Sequence, residues 1–256
     1  MTGEPALHVL EDPESTSRAA AEAIAGALAL AVAARGRADW ATTGGSAPVG
    51  IYRALAESGL RDRVPWAAVH TWWGDDRFVT DADPLSNVRP LEAFLLPGVP
   101  LARDHLHVPT MTEAITNHLA VDWVARQYEA ELRAADLEMR ADGFPVLDVV
   151  LVGIGGDGHV LSAFPGSPLF DVRAWVSAVP APTHIEPHVA RISLHPRILE
   201  AARLPMIVAH GAGKAAILAA VLGPERDERR WPAQVARRAG AHWFLDRAAA
   251  ALLPAP

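Results

Sequence analysis

The chain has 256 residues, of which 50% are hydrophobic, carries a formal net charge of −7 and contains no cysteine. This apolar content is enough for a substantial core, and we expect one domain over residues 1–256. The lack of cysteine excludes disulfide bonds and thiolate zinc sites. An acidic chain without a basic tract is not expected to bind nucleic acid, although a few well-placed cations can still bind an anionic small molecule.

The first 16 residues carry acids where a secretory signal would carry Lys or Arg. They also lack the apolar core of such a signal, so we expect no export and a cytoplasmic location. The longest apolar run, at 23–34, has 12 residues, whereas a membrane-spanning helix needs about 20. We therefore expect this run to form a buried helix, and no contact with a membrane.

The predicted elements begin with a strand at 7–10 and a helix at 14–35. Asp12 is the expected N-cap of this helix, because Pro13 fits its first turn. Further strands are predicted at 38–42, 68–72, 147–152, 174–179, 190–194, 206–210 and 241–245, and further helices at 48–57, 111–137, 196–202, 213–222 and 246–252. Short β-rich runs that alternate with helical patterns are typical of an α/β fold, in which helices flank a mostly parallel sheet.

Four segments rich in glycine or charge follow directly after predicted strands. They are residues 42–48, 72–87, 153–159 and 211–216. Because the carboxyl ends of parallel strands meet in one crevice, loops that are distant in sequence can build one site there. The sequence therefore predicts a site made from these four segments.

The segment 153–159, "GIGGDGH", contains the spacing G-x-G-x-x-G after a strand. A dinucleotide-binding loop has this spacing but opens a long helix, which Pro165 would interrupt. The next strand also lacks a terminal acid to bind a ribose. We therefore expect no nucleotide cofactor, and the simpler alternative is a tight glycine turn.

A tight turn explains the glycines of this segment but not Asp157 or His159. A neutral imidazole, with an ordinary pKa of about 6.5, can accept a proton from water near neutral pH. A neighbouring carboxylate can fix its tautomer and stabilise the imidazolium. Asp157 and His159 are therefore candidates for a general base and its supporting acid.

Two other segments have features that suit an anion. Gly44 and Gly45 allow close approach of backbone N–H groups, Ser46 adds a hydroxyl donor, and a helix begins near Pro48. The alternative for this segment is a plain turn from strand to helix. Lys214 stands at the start of a predicted helix, where a cation is unfavourable unless it faces an anion.

The segment 72–87 places Asp75, Asp76 and Arg77 at the end of a strand. Such a cluster is usually a solvated turn, but an arginine in a crevice can orient a ligand oxygen or stabilise an oxyanion. The pairs His105 with His107 and His184 with His188 have spacings that fit a metal. Neither pair has a nearby third ligand, so we expect no metal site.

Six segments follow one another along most of the chain: "TTGGSAPVGIYRAL", "WWGDDRFVTDADPLSN", "LDVVLVGIGGDGHVLSAFPGSP", "RISLHPRIL", "GAGKAAIL" and "PAQVARRAGAHWFLD". Together they resemble the 6-phosphogluconolactonase family. Each match is modest alone, whereas six in register are specific. The resemblance implies a Rossmann-like α/β fold shared with glucosamine-6-phosphate deaminases and ribose-5-phosphate isomerase.

The resemblance also implies roles for individual residues. His159, supported by Asp157, matches the histidine that activates the attacking water, and Arg77 matches an arginine that stabilises negative charge near the substrate. Further substrate contacts are implied at Gly44, Gly45, Ser46, Asp75, Arg191 and Lys214, with the two glycines, Ser46 and Lys214 around the sugar phosphate. The chain departs from the family pattern at Ala47, at Asp76, where Glu is usual, and at Gly156. The shorter Asp76 leaves the role of that acid open.

The implied reaction is hydrolysis of 6-phospho-D-glucono-1,5-lactone to 6-phospho-D-gluconate, with no metal or organic cofactor, by a monomer or weak homodimer. One alternative is an amino-sugar phosphate deaminase of the same fold. Those enzymes carry a Phe-Asn-Glu-Pro-like segment after the histidine, whereas this chain reads "AFPGSP". The other alternative is a sugar-phosphate-binding protein without catalysis.

Overall fold

The computed structural model describes residues 3–45 and 47–254. The strands are β1 (Ala6–Leu10), β2 (Ala38–Thr42), β3 (Val69–Trp73), β4 (Asp75–Arg77), β5 (Leu106–His107), β6 (Val149–Gly153), β7 (Val176–Val179), β8 (Arg191–Leu194), β9 (Leu204–Ala209) and β10 (His242–Asp246). The helices are α1 (Pro13–Arg35), α2 (Ala47–Ala56), α3 (Ser58–Arg61), α4 (Val88–Phe94), α5 (Met111–Thr116), α6 (Val121–Ala134), α7 (Ile198–Ala201) and α8 (Ala215–Leu222).

Seven strands form the central sheet in the order β1-β10-β9-β6-β2-β3-β5. Neighbouring strands in this sheet pair in parallel. From β2 the chain proceeds to β3 and β5 on one side, whereas from β6 it proceeds to β9 and β10 on the other. A parallel sheet opens a crevice where this direction reverses, so the ends of β2 and β6 are where a ligand is expected.

The sheet has a hydrophobic core on each face. On β6, Val149 and Leu151 pack on one face and Val150 and Val152 on the other, as the period of two in a strand requires. Helices α1, α2 and α4 cover the first face, and α5, α6 and α8 cover the second. The predicted α/β fold with a mostly parallel sheet is confirmed.

Helix α1 confirms the predicted buried helix and its N-cap. The Asp12 side chain accepts a hydrogen bond from the backbone N–H of Ser15 at 2.7 Å, and Pro13 occupies the first turn. Of the described helices, α1 is the one whose length and apolar composition would suffice to cross a bilayer. Its residues Ile24 and Leu28 are fully buried against the sheet, as in a core helix.

A second sheet holds three antiparallel strands in the order β4-β8-β7. The predicted strands at 174–179 and 190–194 are present as β7 and β8, although they belong to this sheet rather than the parallel one. Gly74 links the two sheets, because its N–H donates to the carbonyl of Thr42 at 2.8 Å and its carbonyl accepts from Leu194 at 2.7 Å. This link carries the chain from β3 directly into β4.

The prediction of one helix over 111–137 is wrong, because the segment divides into α5 and α6. His118 lies between them with a positive φ of 55°. The N–H of His118 donates to Ile115 and that of Leu119 donates to Ala114, which is the hydrogen-bond pattern of a Schellman C-cap. This cap ends α5 at Thr116, and α6 begins five residues later at Val121.

The predicted helix at 246–252 is also wrong, because the chain forms turns after β10. The Asp246 carboxylate accepts from the N–H of Ala249 at 2.7 Å and from that of Gly211 at 3.0 Å. A side chain that binds nearby backbone donors competes with helix formation. The same carboxylate fixes the turn after β9.

Asp76 anchors the loop that follows β4. Its Oδ1 accepts from the N–H of Arg77 at 2.7 Å and of Asn87 at 2.8 Å, and its Oδ2 accepts from the Ser86 hydroxyl at 3.3 Å. Burial raises the pKa of Asp76 to about 7, against the lowering effect of the two backbone hydrogen bonds. This acid therefore joins the two ends of the loop 77–87.

We predict that Asp76→Asn changes how stability depends on pH. The unfolded carboxyl titrates near its ordinary pKa of about 3.9, and the folded one near 7. Between these values the folded chain binds more protons, so the free energy of unfolding of the wild type falls as pH rises. Asparagine keeps an acceptor for both backbone donors and loses the titration, so the variant should gain stability relative to the wild type from pH 5 to 7.

Urea unfolding at pH 5, 6 and 7 measures this difference. Asp104→Asn, at an exposed acid, is the matched control and should keep the wild-type dependence. Curves of free energy against pH that run parallel for Asp76→Asn and the wild type would contradict the role given to burial of this carboxyl.

Candidate active site

A cavity of about 300 Å³ lies at the carboxyl ends of the central strands. Its walls come from all four of the segments singled out in the sequence. Of the predicted site residues, those that line it are Gly44, Gly45, Asp75, Arg77, His159, Arg191 and Lys214. Asp157 lies beside the cavity in contact with His159, and Ser46 lies outside the described residues.

His159 and Asp157 form a close pair. Nδ1 of the imidazole lies 2.6 Å from Oδ1 of the carboxylate, and the His159 backbone N–H donates to the same oxygen at 3.1 Å. Burial raises the pKa of Asp157, but hydrogen bonds and charge from His159, with a bond from His184, lower it well below its usual value. An ionised carboxylate only accepts, so the neutral imidazole carries its hydrogen on Nδ1 and keeps a lone pair on Nε2.

Gly155 is required for this pair. A Cβ at position 155 would lie 2.0 Å from Nδ1 of His159 and 2.6 Å from Oδ1 of Asp157, closer than any real contact. The chain turns back at Gly158, where φ is 87°. No helix follows within the next eight residues of this described segment, in contrast to a dinucleotide-binding loop.

Arg77 and Arg191 lie opposite each other on β4 and β8. Each donates one guanidinium N–H to a backbone carbonyl, Arg77 to Leu85 at 2.7 Å and Arg191 to Pro187 at 3.2 Å. Nε of both arginines is buried without a hydrogen-bond partner among residues 3–45 and 47–254. Like charges that face each other across two strands repel. This pair therefore suits an anionic ligand that accepts hydrogen bonds from the free N–H donors.

The pKa of Arg191 reflects the same closeness of the two arginines. Burial lowers the pKa of this guanidinium, Asp75 raises it, and the neighbouring charge of Arg77 lowers it further. Arginine nevertheless remains charged in proteins. The buried positive charge of Arg191 thus lies at the cavity wall, where the charges of Asp75 and Asp157 both favour it.

Asp75 and Asn87 form a hydrogen-bonded polar part of the cavity wall. Oδ2 of Asp75 accepts from the Ser162 hydroxyl at 2.6 Å, and the Asn87 amide donates to the Asp75 backbone carbonyl at 2.8 Å. Oδ1 of Asn87 is buried and has no partner within the part of the chain that the structure describes. A Cβ on Gly44 would lie 1.8 Å from this oxygen, so glycine is required there as well.

Lys214 is the only lysine in the sequence, one of 23 basic residues. Its ammonium group donates to the Ile154 carbonyl at 2.7 Å, which leaves two N–H donors. Burial lowers the pKa of Lys214, and the charge of Asp157 raises it. The single lysine side chain is thus held at the cavity wall, where the charge of Asp157 acts on it.

Several residues that line the cavity were not predicted from the sequence: Asn87, Ile185, Glu186 and His210. His210 directly follows β9, and its Nε2 is buried without a partner in the described ranges 3–45 and 47–254. The sequence signal that could have identified His210 is its position directly before "GAGK", the segment that carries Lys214. Ile185 and Glu186 follow no parallel strand, so strand-end reasoning gave no reason to include them. Within those same ranges, no three His, Asp or Glu side chains are grouped to hold a metal ion.

Comparison with known proteins gives consistent matches. Residues 11–244 match the family described as glucosamine-6-phosphate isomerases/6-phosphogluconolactonase. A 6-phosphogluconolactonase of Streptomyces coelicolor is 36% identical, with 99% of this chain and 97% of that protein covered. The crystal structure of 6-phosphogluconolactonase from Leishmania guyanensis superposes with a TM-score of 0.84 at 26% identity, over 99% of this chain and all of that one.

A monomeric glucosamine-6-phosphate deaminase superposes with a TM-score of 0.78 at 18% identity, over 96% of this chain and 99% of that one. At this identity the match shows a common fold, as the sequence resemblance implied. The family match covers most of the chain, and the Streptomyces relative extends over nearly all of it. The chain therefore belongs to the family of glucosamine-6-phosphate isomerases and 6-phosphogluconolactonases.

Proposed function

We propose that this chain is a 6-phosphogluconolactonase, which hydrolyses 6-phospho-D-glucono-1,5-lactone to 6-phospho-D-gluconate in the oxidative pentose phosphate pathway. The main support is the His159–Asp157 pair, 2.6 Å apart, at a cavity that also presents Arg77, Arg191 and Lys214. Relatives named 6-phosphogluconolactonase that are 36% and 30% identical over almost the whole chain support the substrate. The enzyme acts in the cytoplasm, as one domain and as a monomer or weak homodimer.

The reaction needs a base that accepts a proton from water. Because Nδ1 of His159 is directed at Asp157, Nε2 is the atom that takes this proton as the water oxygen attacks the lactone carbonyl carbon. Asp157 stabilises the imidazolium that forms. When the tetrahedral intermediate collapses, the ring C–O bond breaks and the ring oxygen takes the proton from the imidazolium. The products are a hydroxyl group and a carboxylic acid, which releases its proton to solvent to become a carboxylate, and His159 returns to its neutral form.

Negative charge develops on the carbonyl oxygen in this step. Arg77 is assigned to stabilise it, because its buried Nε has no partner in the described chain and its side chain lines the same cavity as His159. The hydrogen bond to the Leu85 carbonyl holds the guanidinium in place before the substrate arrives. A donor that is fixed in advance costs no reorganisation when the charge appears.

The phosphate is assigned to the part of the cavity formed by the start of α2 and by Lys214. Gly44 and Gly45 line the cavity there, where glycine allows a ligand to approach the backbone closely, and the amino end of a helix favours an anion. Arg191 adds a second cation, and the family resemblance implies a hydroxyl from Ser46, which lies outside the described residues. Asp75 is assigned to accept a hydrogen bond from a sugar hydroxyl, since its carboxylate is at the cavity wall.

The alternative is that this chain is a glucosamine-6-phosphate deaminase, because a deaminase of that name has the same fold. Where the deaminase pattern supplies a carboxylate after the histidine, this chain has Phe164, whose ring packs 4.7 Å from that of His159. The phenyl ring of Phe164 has no group that can exchange a proton with an amino sugar. The apolar neighbour therefore favours the lactonase.

A coupled assay tests the proposed function. Glucose 6-phosphate and its dehydrogenase generate the lactone, and 6-phosphogluconate dehydrogenase reports the acid. We expect hydrolysis faster than the spontaneous rate, and no ammonia from glucosamine 6-phosphate. Ammonia release without lactonase activity would assign the chain to the deaminases, and binding of 6-phosphogluconate without either reaction would make it a sugar-phosphate-binding protein.

We predict that His159→Ala lowers kcat for the lactone by about 10²- to 10⁴-fold, the usual contribution of a general base. Affinity for 6-phosphogluconate should persist, because the phosphate contacts are made elsewhere. Steady-state kinetics and calorimetric titration measure the two quantities. His118→Asn, at an exposed histidine, is the control and should retain wild-type kcat. Unchanged turnover in His159→Ala would refute the assignment of the base.

We predict the opposite pattern for Lys214→Met, with a KM about 10- to 100-fold higher and a kcat within a few-fold of wild type. This range corresponds to the loss of one hydrogen bond between charged groups. Lys214→Arg keeps the charge and should recover part of the affinity. A normal KM in Lys214→Met would place the phosphate elsewhere in the cavity.

A further inference from the structure

The Asp157 carboxylate is bound by a histidine on each oxygen. Oδ1 lies 2.6 Å from Nδ1 of His159, and Oδ2 lies 2.9 Å from Nε2 of His184. His184 belongs to the segment 180–190 between β7 and β8, and half of its side chain, 51%, is exposed. The proposed mechanism uses the first of these hydrogen bonds and gives no role to the second.

Phe164 packs against both imidazoles. Its ring lies 4.7 Å from that of His159, and the His184 ring meets it edge-on, at 5.5 Å and 88°. The Arg191 guanidinium lies 5.1 Å from the centre of the same ring. The two histidines are therefore oriented by one aromatic side chain as well as by one carboxylate.

The segment that carries His184 also forms part of the cavity wall, through Ile185 and Glu186. The bond from His184 to Asp157 joins this wall to the loop after β6. His188, four residues further on, makes a different set of contacts. It binds the Pro182 carbonyl at 2.6 Å and Glu186 at 3.1 Å.

We propose that His184 is a positioning residue for the lactonase reaction, which holds Asp157 in the rotamer that orients His159 and shares its negative charge. This inference rests on the proposed function. Without His184, one oxygen of Asp157 would be free to hydrate, and the carboxylate could rotate away from Nδ1. His184 therefore acts on the base through Asp157 and does not touch the substrate.

Sharing one carboxylate couples the protonation of the two imidazoles. When His184 is charged it neutralises part of Asp157, so the carboxylate stabilises a proton on His159 less well. The other charged groups nearby are Arg191 from β8 and Lys214 before α8, both of which act on Asp157, and Glu186 with His188 on the segment itself. These groups remain when His184 is replaced. Loss of His184 should then leave His159 protonated up to a higher pH.

Two variants separate orientation from charge. His184→Ala removes both, and should lower kcat about three- to tenfold with KM little changed, as for one half-exposed hydrogen bond to a charged group. His184→Gln keeps an N–H donor but cannot titrate, so it should restore most of kcat. His184→Gln, which keeps Asp157 in place, should move the acid limb of the kcat/KM profile to higher pH. His188→Gln is the matched control and should keep the wild-type profile.

An NMR titration tests the same proposal without turnover. The ring signals of His159, identified by their loss in His159→Ala, should titrate at a higher pH in His184→Gln than in the wild type, and at the wild-type pH in His188→Gln. Identical midpoints in all three proteins would overturn the proposal, as would an effect of His184→Ala on KM alone. If the wild type has no lactonase activity, the proposed function fails while the titration still decides the role of His184.

Discussion

The hydrogen bond between Asp157 and His159 is the interaction on which the rest of the site depends. It fixes the imidazole tautomer, and with it the atom that is free to accept a proton. The loop must then be built around it, because position 155 has no room for a side chain. Lys214 and Arg191 contribute as well, since each lies close enough for Asp157 to raise its pKa. The same attraction favours the ionised carboxylate, although burial opposes it.

The local charge of the cavity differs from that of the whole molecule. The chain carries a net charge of −7, yet Arg77, Arg191 and Lys214 all line one cavity of about 300 Å³. Concentrated positive charge in a partly desolvated cleft attracts an anion whatever the overall balance. An acidic overall composition is therefore compatible with a phosphorylated small-molecule substrate. The charges at the cavity determine whether an anion is attracted there, because buried charges are screened less by salt than exposed ones.

What could be predicted from the sequence was local or followed from sheet geometry. The N-cap at Asp12 uses residues three apart, and Gly44, His159 and Lys214 could be brought together because each follows a parallel strand. Strand β4 could not be predicted, because its three residues are polar and pair with β8, more than 100 residues away. The break in 111–137 occurs at His118; histidine adopts a positive φ more often than most residues but still uncommonly, so the residue type alone did not predict the break. Asn87 was missed as a cavity residue because its position depends on the Asp76 anchor.

The two neighbouring acids of "GDDR" have different positions: Asp75 lines the cavity, whereas Asp76 holds the loop after β4. Side chains alternate along a strand, so Asp75 and Arg77 face the cavity while Asp76 faces away. The short side chain of Asp76 reaches the adjacent N–H of Arg77 and that of Asn87. Aspartate in place of the usual glutamate is therefore compatible with the proposed reaction, since this carboxylate shapes the loop whose Leu85 carbonyl holds Arg77. The substitution therefore falls on a residue that supports Arg77, the arginine proposed to stabilise the oxyanion, and not on a residue that lines the cavity.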